Sequence, residues 1–333
     1  SSVNTITIMG ELVYHIPAML TPTIEGLRIN PDGVYVDVTL GGGGHSRAIH
    51  SKLSSQGRLF SFDQDWDAYA NQLAAATEGN TFSLANQSNW QFVHGNFRHL
   101  KNFLRYYKVD GIDGLLADLG VSFHHFDEAE RGFSFRYSSP LDMRMNQRGG
   151  KTAADIVNTY SEEELARVLY LYGELKNSRR IANTIVRTRS SHSLARTEDL
   201  VAIMTGKKSS TPLADGDEIE VDSRQKKDLA RMFQALRIEV NDEMGALETM
   251  LTSALEMLKP QGRIAILTYH SLEDRIVKNF LRSGNCEGKI EKDFYGNILT
   301  PFRVIEKGRI AEEEEVAINP RARSAKLRVA ERI

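Results

Sequence analysis

The residues able to do chemistry gather at the ends of apolar runs. Asp37 lies within Val34-Tyr35-Val36-Asp37-Val38-Thr39-Leu40, and Gly41-Gly42-Gly43-Gly44-His45-Ser46 follows at once. Glycines between a strand and a helix let the backbone approach a ligand, and amides at the helix start can face an anionic or polar group. Counting the dinucleotide fingerprint from Gly41 puts its third small position on Ser46, and no Lys follows the glycines as a phosphate loop requires. An acid just ahead of the glycines would repel a pyrophosphate and suits an ammonium. Asp37 therefore favours S-adenosylmethionine over a dinucleotide, the alternative being a plain tight turn.

Three further positions share this pattern. Gly57-Arg58-Leu59-Phe60-Ser61-Phe62 ends in Asp63, placed to accept both ribose hydroxyls of a nucleoside. Trp90-Gln91-Phe92-Val93-His94 is followed by Gly95-Asn96-Phe97, where Phe97 either lies against an adenine or packs in the core. Ile112 to Ala117 leads to Asp118, next to the place where a methyl group would be presented. A fifth run, Arg263 to Thr268, carries Tyr269, His270 and Ser271 at its tip.

The elements that must position these residues are strands alternating with helical segments, which gives an α/β fold with a parallel, right-handed sheet. Leu20, Ile24 and Leu27 mark a short helix after His15-Ile16-Pro17, with Pro17 near its first turn. Helices are expected over residues 45–53 and 66–76. Ser161-Glu162-Glu163-Glu164 reads as a capping box ahead of Leu165, Val168, Leu169 and Tyr172. Residues 178–189 carry Arg179, Arg180, Arg187 and Arg189, either a solvated helix face or a phosphate-contacting one. Thr197 caps a further helix, and residues 207–222 form a polar, mobile loop. From Arg224, Leu229, Phe233, Leu236, Val240, Met244, Leu247, Leu251 and Leu255 follow steps of three and four, one long helical segment. Residues 285–309 give no clear pattern, Glu312–Glu315 reads as solvated, and Lys326–Ala330 alternates as a last strand.

With 333 residues and a net charge of −2, the chain has room for two or three domains and lacks a globally basic surface. Its one cysteine, Cys286, excludes a disulfide framework and a cysteine-based metal site. Ser1 to Leu20 lacks a basic region followed by an apolar core, so no signal peptide is expected, and a cytoplasmic location follows.

Several long segments recur in a fixed order. They are Thr39-x-Gly-x-Gly-Gly-His-Ser, Asp118-Leu119-Gly120-Val121-Ser122, Glu130-Arg131-Gly132-Phe133-Ser134-Phe135, Pro140-Leu141-Asp142-Met143-Arg144-Met145, Phe233-Gln234-Ala235-Leu236-Arg237-Ile238-Glu239-Val240-Asn241, His270-Ser271-Leu272-Glu273-Asp274-Arg275 and Asn319-Pro320-Arg321-Ala322-Arg323-Ser324. On these motifs the chain resembles the bacterial 16S rRNA (cytosine-N4)-methyltransferase family, RsmH or MraW, from His15 to Arg332. The resemblance implies a class I, Rossmann-like S-adenosylmethionine-dependent methyltransferase with an inserted all-helical domain. The expected division is residues 1–128 with 238–333 for the methyltransferase and 129–237 for a substrate-recognising insert.

By motif, the resemblance puts Gly43, Gly44 and His45 against S-adenosylmethionine, with Gly41 in the same turn, Asp63 on the ribose, and Phe97 and Asp118 completing the site. The family's usual Gln falls at His125, which can still donate or accept a hydrogen bond. The implied substrate is a cytidine N4 amine in 16S rRNA of the small (30S) ribosomal subunit, with no membrane or metal and a homodimer left open. That amine is a poor nucleophile, because its lone pair is delocalised into the ring. A group accepting its hydrogen bonds helps. Asp118 or backbone carbonyls near it are the expected acceptor, and His270 is either a proton acceptor or a structural bond to a loop. The unstacked base is expected against Phe133 or Phe135. Arg144, Arg237 and Arg275 either hold phosphates or pair with Asp142, Glu239 and Asp274. Asn241, Arg321 and Arg323 complete the substrate side. Readings from other classes are a nicotinamide-dependent oxidoreductase, a non-catalytic RNA-binding protein, and a methyltransferase acting on DNA or another RNA.

Overall fold

The computed structural model describes residues 16–65, 68, 88–120, 131–208 and 210–333. The helix expected over 66–76, Ala68 apart, and His125 lie outside these residues. Two compact units result, one of Ser1–Gly120 with Gly245–Ile333, the other Val121–Met244.

The first unit is built on a seven-stranded sheet. β1 (Val34–Asp37), β2 (Arg58–Asp63), β3 (Trp90–His94), β4 (Ile112–Asp118) and β5 (Leu258–Thr268) pair in parallel. A small hairpin, β6 (Glu291–Lys292) and β7 (Ile298–Leu299), precedes β8 (Phe302–Ile310) and β9 (Lys326–Arg332), and the sheet order is β3-β2-β1-β4-β5-β9-β8. β9 runs antiparallel to both neighbours. Residues 285–309, unreadable in sequence, thus hold three strands. β8 is hard to see because only Phe302 in it is buried and its register slips twice against β9, which breaks the alternation.

These strands are short apolar runs because both faces are covered. Tyr35, Val36, Phe60, Phe62, Leu115, Leu116, Ile264 and Ile266 are all buried. The sheet order reverses between β1 and β4, the kind of crevice where open α/β sheets bind ligands beyond their carboxyl ends. The register brings Asp37 opposite Leu116, Asp63 opposite His94, and Asp118 opposite Leu267.

Helices α1 (Leu20–Leu27), α2 (Gly44–Ser51) and α3 (Leu100–Tyr106) belong to the same unit. Pro17 lies ahead of α1 rather than in its first turn, because Met19 takes a left-handed conformation (φ 47°) and only then does the helix begin.

The second unit contains α4 (Ala153–Thr159), α5 (Glu162–Gly173), α6 (Ser178–Ser191), α7 (Thr197–Thr205) and α8 (Lys226–Val240). The Ser161–Glu164 capping box forms as expected, and Thr152 with Asp155 makes another at α4. Leu165, Val168, Leu169, Ile181, Ile185, Leu229, Phe233 and Leu236 share one core, each worth about 1.5–3 kcal/mol of burial.

Four expectations need correction. The long periodic run divides into α8 and α9 (Glu243–Met257), because Asp242 adopts φ 46° and breaks the helical ladder. Arg196, not Thr197, occupies the N-cap of α7, and the Thr197 hydroxyl donates to the Tyr137 carbonyl at 2.7 Å. The polar stretch before α8 is held rather than loose: Ser138 N donates to Asp217 O, Gly216 N to Ser138 O and Ile219 N to Arg136 O at 2.8–2.9 Å. The acidic run enters α11 (Glu313–Ile318), and Glu315 accepts from Met19 N at 2.8 Å instead of facing only solvent. In the first unit α10 (Ser271–Ser283) lies between β5 and β6 in the chain.

Candidate active site

β1 delivers its acid into the sheet. Asp37 is 0% exposed. One oxygen accepts from Thr39 N at 3.0 Å and the other from the Ser46 hydroxyl at 2.6 Å. Ser46 in turn meets Ser61 Oγ at 2.7 Å, to which Trp90 Nε1 donates at 2.8 Å. Burial raises the Asp37 carboxyl above its ordinary range, against the Ser46 hydrogen bond and the nearby His45. This corrects the expectation that Asp37 faces a ligand's ammonium. It braces the glycine turn onto the start of α2.

The turn itself has two requirements for glycine. Gly43, the N-cap of α2, sits at φ 85°, and no side chain caps the amides that follow. At Gly44 a Cβ would lie 2.7 Å from Pro17 Cδ and Cγ, so the N-terminal segment passes flush over the helix start. Ala18 O meets His45 Nε2 at 3.0 Å. A carbonyl only accepts, so Nε2 carries the hydrogen and Nδ1 faces Asp118 Oδ2 at 3.8 Å. The His45 ring is 4% exposed and occupied in this way. What this residue can offer a ligand is its amide.

Asp63 ends β2 beside the turn. Gly41 N donates to its Oδ2 and Asp65 N to its Oδ1, both at 2.9 Å. Burial pushes its carboxyl up to about 6, against those two hydrogen bonds. A carboxylate has about four acceptor sites, so two protein donors leave room for two ribose hydroxyls. Phe97 begins a short 3₁₀ turn beyond β3, half-buried, its backbone held by Asn96 Oδ1 accepting from Arg98 N at 3.0 Å.

Asp118 ends β4. Its amide donates to Thr39 Oγ1 at 2.7 Å, which ties this tip to the β1 exit, and its Oδ1 accepts from Gly120 N at 3.2 Å. Its side chain is 11% exposed. Thr39 is a positioning residue that reasoning from residue types passed over, although it lies within the quoted motif.

His270 does not stand as a proton acceptor. It is the N-cap of α10: Nδ1 accepts from Glu273 N at 3.4 Å, and Nε2 lies 3.6 Å from Glu273 Oε1.

The expected substrate residues fare differently. In the helical unit, Phe133 is 4% exposed within the core, under the Arg131 guanidinium, and offers no open face to a base. Phe135 meets Phe233 edge-on at 5.7 Å. Arg144 pairs with Asp142 through Nε (2.7 Å) and Nη2 (3.1 Å). Arg237, 6% exposed, pairs with Glu243 rather than Glu239, whose carboxylate instead accepts from Tyr160 Oη at 2.8 Å. Asn241 accepts from Met145 N at 2.8 Å and donates to Met143 O and Arg237 O at 2.9 Å, which fixes the left-handed Met143. Arg189 donates to the carbonyls of Val157 and Tyr160 near the end of α4. In the sheet unit, Arg275 is exposed, and Asp274 pairs with Arg328 at 2.7 and 2.9 Å instead of with Arg275. Arg321 lies with its guanidinium 5.5 Å from the Tyr269 ring centre, and Arg323, on the same 3₁₀ segment, is exposed.

Among the described residues no helix is long and apolar enough to cross a membrane. The model of the MraW methylase family matches residues 12–333. A relative in Bacteroides thetaiotaomicron, ribosomal RNA small subunit methyltransferase H, is 54% identical over 323 residues, 97% of this chain and 98% of its own. Proteins of the same name in Phocaeicola vulgatus and Parabacteroides distasonis are 52% and 53% identical, over 97% and 96% of this chain and 99% and 98% of theirs.

Proposed function

This chain belongs to the MraW methylase family, and from that premise we propose that it methylates the N4 amine of a cytidine in 16S rRNA, using S-adenosylmethionine. It is a class I methyltransferase acting on rRNA of the small ribosomal subunit. The observation that carries the reading is the meeting of the glycine turn, the Asp63 carboxylate and Asp118 at the point where the strand order reverses.

Bound S-adenosylmethionine supplies an electrophilic methyl group. Asp63 accepts the ribose hydroxyls, and the uncapped amides of α2 face the polar end of the cofactor. Phe97 flanks the adenine. Asp118, fixed through Thr39 and Gly120, accepts from the target amine and raises electron density on its nitrogen. The assembled 30S subunit in the cytoplasm is the physiological substrate, and the helical unit recognises it. The exposed Arg179, Arg180, Arg275 and Arg323 are its phosphate contacts.

The test is transfer of labelled methyl to small subunits from a strain lacking this gene, with naked 16S rRNA and duplex DNA run beside them. Label confined to N4 of one cytidine is expected. Label on DNA, or on no nucleic acid while the cofactor still binds, would keep the fold and overturn the substrate.

A further inference from the structure

One stretch of the helical unit is charged out of keeping with the rest of the chain. Between Leu165 and Ser191 lie Arg167, Lys176, Arg179, Arg180, Arg187 and Arg189 against a single acid, Glu174, in a protein of net charge −2. The stretch is the greater part of α5, the turn after it and all of α6, which has no acid in its 14 residues. The two helices share one core, with Leu165, Val168 and Leu169 of α5 beside Ile181, Ala182 and Ile185 of α6. Backbone bonds hold the turn between them. Glu174 closes α5 in a left-handed conformation (φ 54°), Leu175 N donates to Leu169 O and Ser178 N to Leu175 O, both at 3.2 Å. The outward faces of α5 and α6 are therefore fixed together.

On α6, Arg180, Asn183 and Arg187 follow steps of three and four on the face turned away from the core, and all three are exposed, as is Arg179. Arg189 turns instead to the carbonyls of Val157 and Tyr160. On α5 the outward face carries Tyr170, 61% exposed, and Leu171, 41% exposed. Among the described residues these are the only large apolar side chains exposed in the helical unit. Single exposed apolar side chains need no explanation, but this pair falls inside the basic stretch. Arg167, one turn before Tyr170, donates to the Tyr172 hydroxyl. A row of guanidiniums on a helix without acids is complementary to a polyanion. The exposed ring adds something that phosphates do not use, a flat face for an unpaired base. Duplex RNA keeps its bases stacked inside and would meet only the arginines.

We propose that α6 and the end of α5 form a binding surface for a single-stranded segment of RNA, with Arg179, Arg180 and Arg187 on its phosphates and Tyr170 stacked on one unpaired base. This rests on the rRNA reading above and deepens it: the helical unit grips its substrate by an unpaired stretch rather than by duplex shape.

The test measures binding of the full chain to a short labelled single-stranded RNA of mixed sequence, and to its duplex, by fluorescence anisotropy over a range of salt. Tyr170→Ala is expected to weaken single-strand binding roughly tenfold and Tyr170→Phe to stay within about twofold of the wild type. Both should melt with the wild type, since the ring is largely in solvent. Arg187→Gln should lower the slope of log affinity against log salt by about 0.7. In methylation of small subunits, Tyr170→Ala should raise KM by a similar factor and leave kcat unchanged. A wild type that binds no single-stranded RNA, a Tyr170→Ala variant that binds like the wild type, or a Tyr170→Phe variant that loses as much as Tyr170→Ala would overturn the proposal. So would equal loss on the duplex, which offers no unpaired base. A raised KM for small subunits with RNA affinity intact would overturn it too, by putting a ribosomal protein on this face. If the wild type labels no RNA, the rRNA methylation reading fails, and the anisotropy comparison still judges Tyr170.

Discussion

The carboxyl edge of the sheet and the helical unit use the same residue types to opposite ends. Along the edge, Asp63 and Asp118 are mostly enclosed by protein, yet each keeps acceptor capacity beyond its internal hydrogen bonds. In the helical unit, Asn241 spends both ends of its amide on backbone, Arg237 and Arg144 spend their guanidiniums on carboxylates, and Arg189 is spent on carbonyls. Polar groups at the edge keep acceptor sites that the hydrogen bonds described for them do not fill. Those in the helical unit hold the chain together. Residue identity alone does not tell the two apart; what decides is whether an atom has capacity left over.

The largest expected effect lies at the edge. Asp118→Ala should lower kcat for methyl transfer by roughly 10²–10³-fold, the usual loss when one preorganised group facing developing charge is removed. Small-subunit methylation under saturating cofactor reads it directly. A variant with full activity would remove Asp118 from the reaction and reduce it to a strut for the β4 tip.

Asn241→Ala tests the other side of the comparison. Three hydrogen bonds disappear. At about 1 kcal/mol each, a loss of about 3 kcal/mol of stability is expected in urea denaturation. If the variant instead keeps its stability and loses affinity for rRNA, Asn241 belongs to the substrate after all and the comparison breaks.

Asp63 sharpens the comparison through pH. Its carboxyl lies near 6, above the unfolded value of 3.8. The empty folded protein therefore binds this proton more tightly than the unfolded chain does. The stability this gives is full below about pH 4 and is lost as pH rises to 6. Cofactor affinity runs the other way, because only the carboxylate accepts both ribose hydroxyls. Calorimetry should show affinity falling by about fivefold between pH 6 and pH 5, with proton release on binding near pH 6. Asp63→Asn should flatten that profile, and a profile that stays steep in the variant would assign the titration elsewhere.

The edge was legible in the sequence because the fold leaves it little choice. Short runs such as Trp90–His94 and Ile112–Asp118 form strands within the spans expected, and parallel pairing brings their carboxyl ends to one side. An acid after such a run has nowhere else to be. Asp37 misled because it is the last residue of β1, inside the sheet, and its carboxylate is taken up by Thr39 and Ser46. His270 stayed open between a proton acceptor and a structural bond because its role as an N-cap depends on where α10 begins, a tertiary matter. The helical unit was legible as helices, through capping boxes and periodicity, but not as a site. Partners such as Arg237–Glu243 or Asn241–Met145 depend on a left-handed residue, Asp242 or Met143, that no spacing rule announces.

The smallest expected effect comes from Arg144. Its fork meets Asp142 at 2.7 and 3.1 Å, with about a quarter of each side chain exposed. Burial alone would raise the Asp142 carboxyl, but the Arg144 hydrogen bonds outweigh it and hold that group below its ordinary range. A partly exposed pair of this kind contributes about 0–1 kcal/mol, and Arg144 N still donates to Asp142 Oδ1 when the side chain is gone. Arg144→Ala is therefore expected to cost less than about 1 kcal/mol in denaturation and to leave KM for small subunits within about threefold, since a guanidinium already paired has little left for a phosphate. A KM raised more than tenfold with stability intact would mean that Arg144 gives up Asp142 for the RNA backbone. One arginine of the helical unit would then behave as the acids of the sheet edge do, with a bond held in reserve for the substrate.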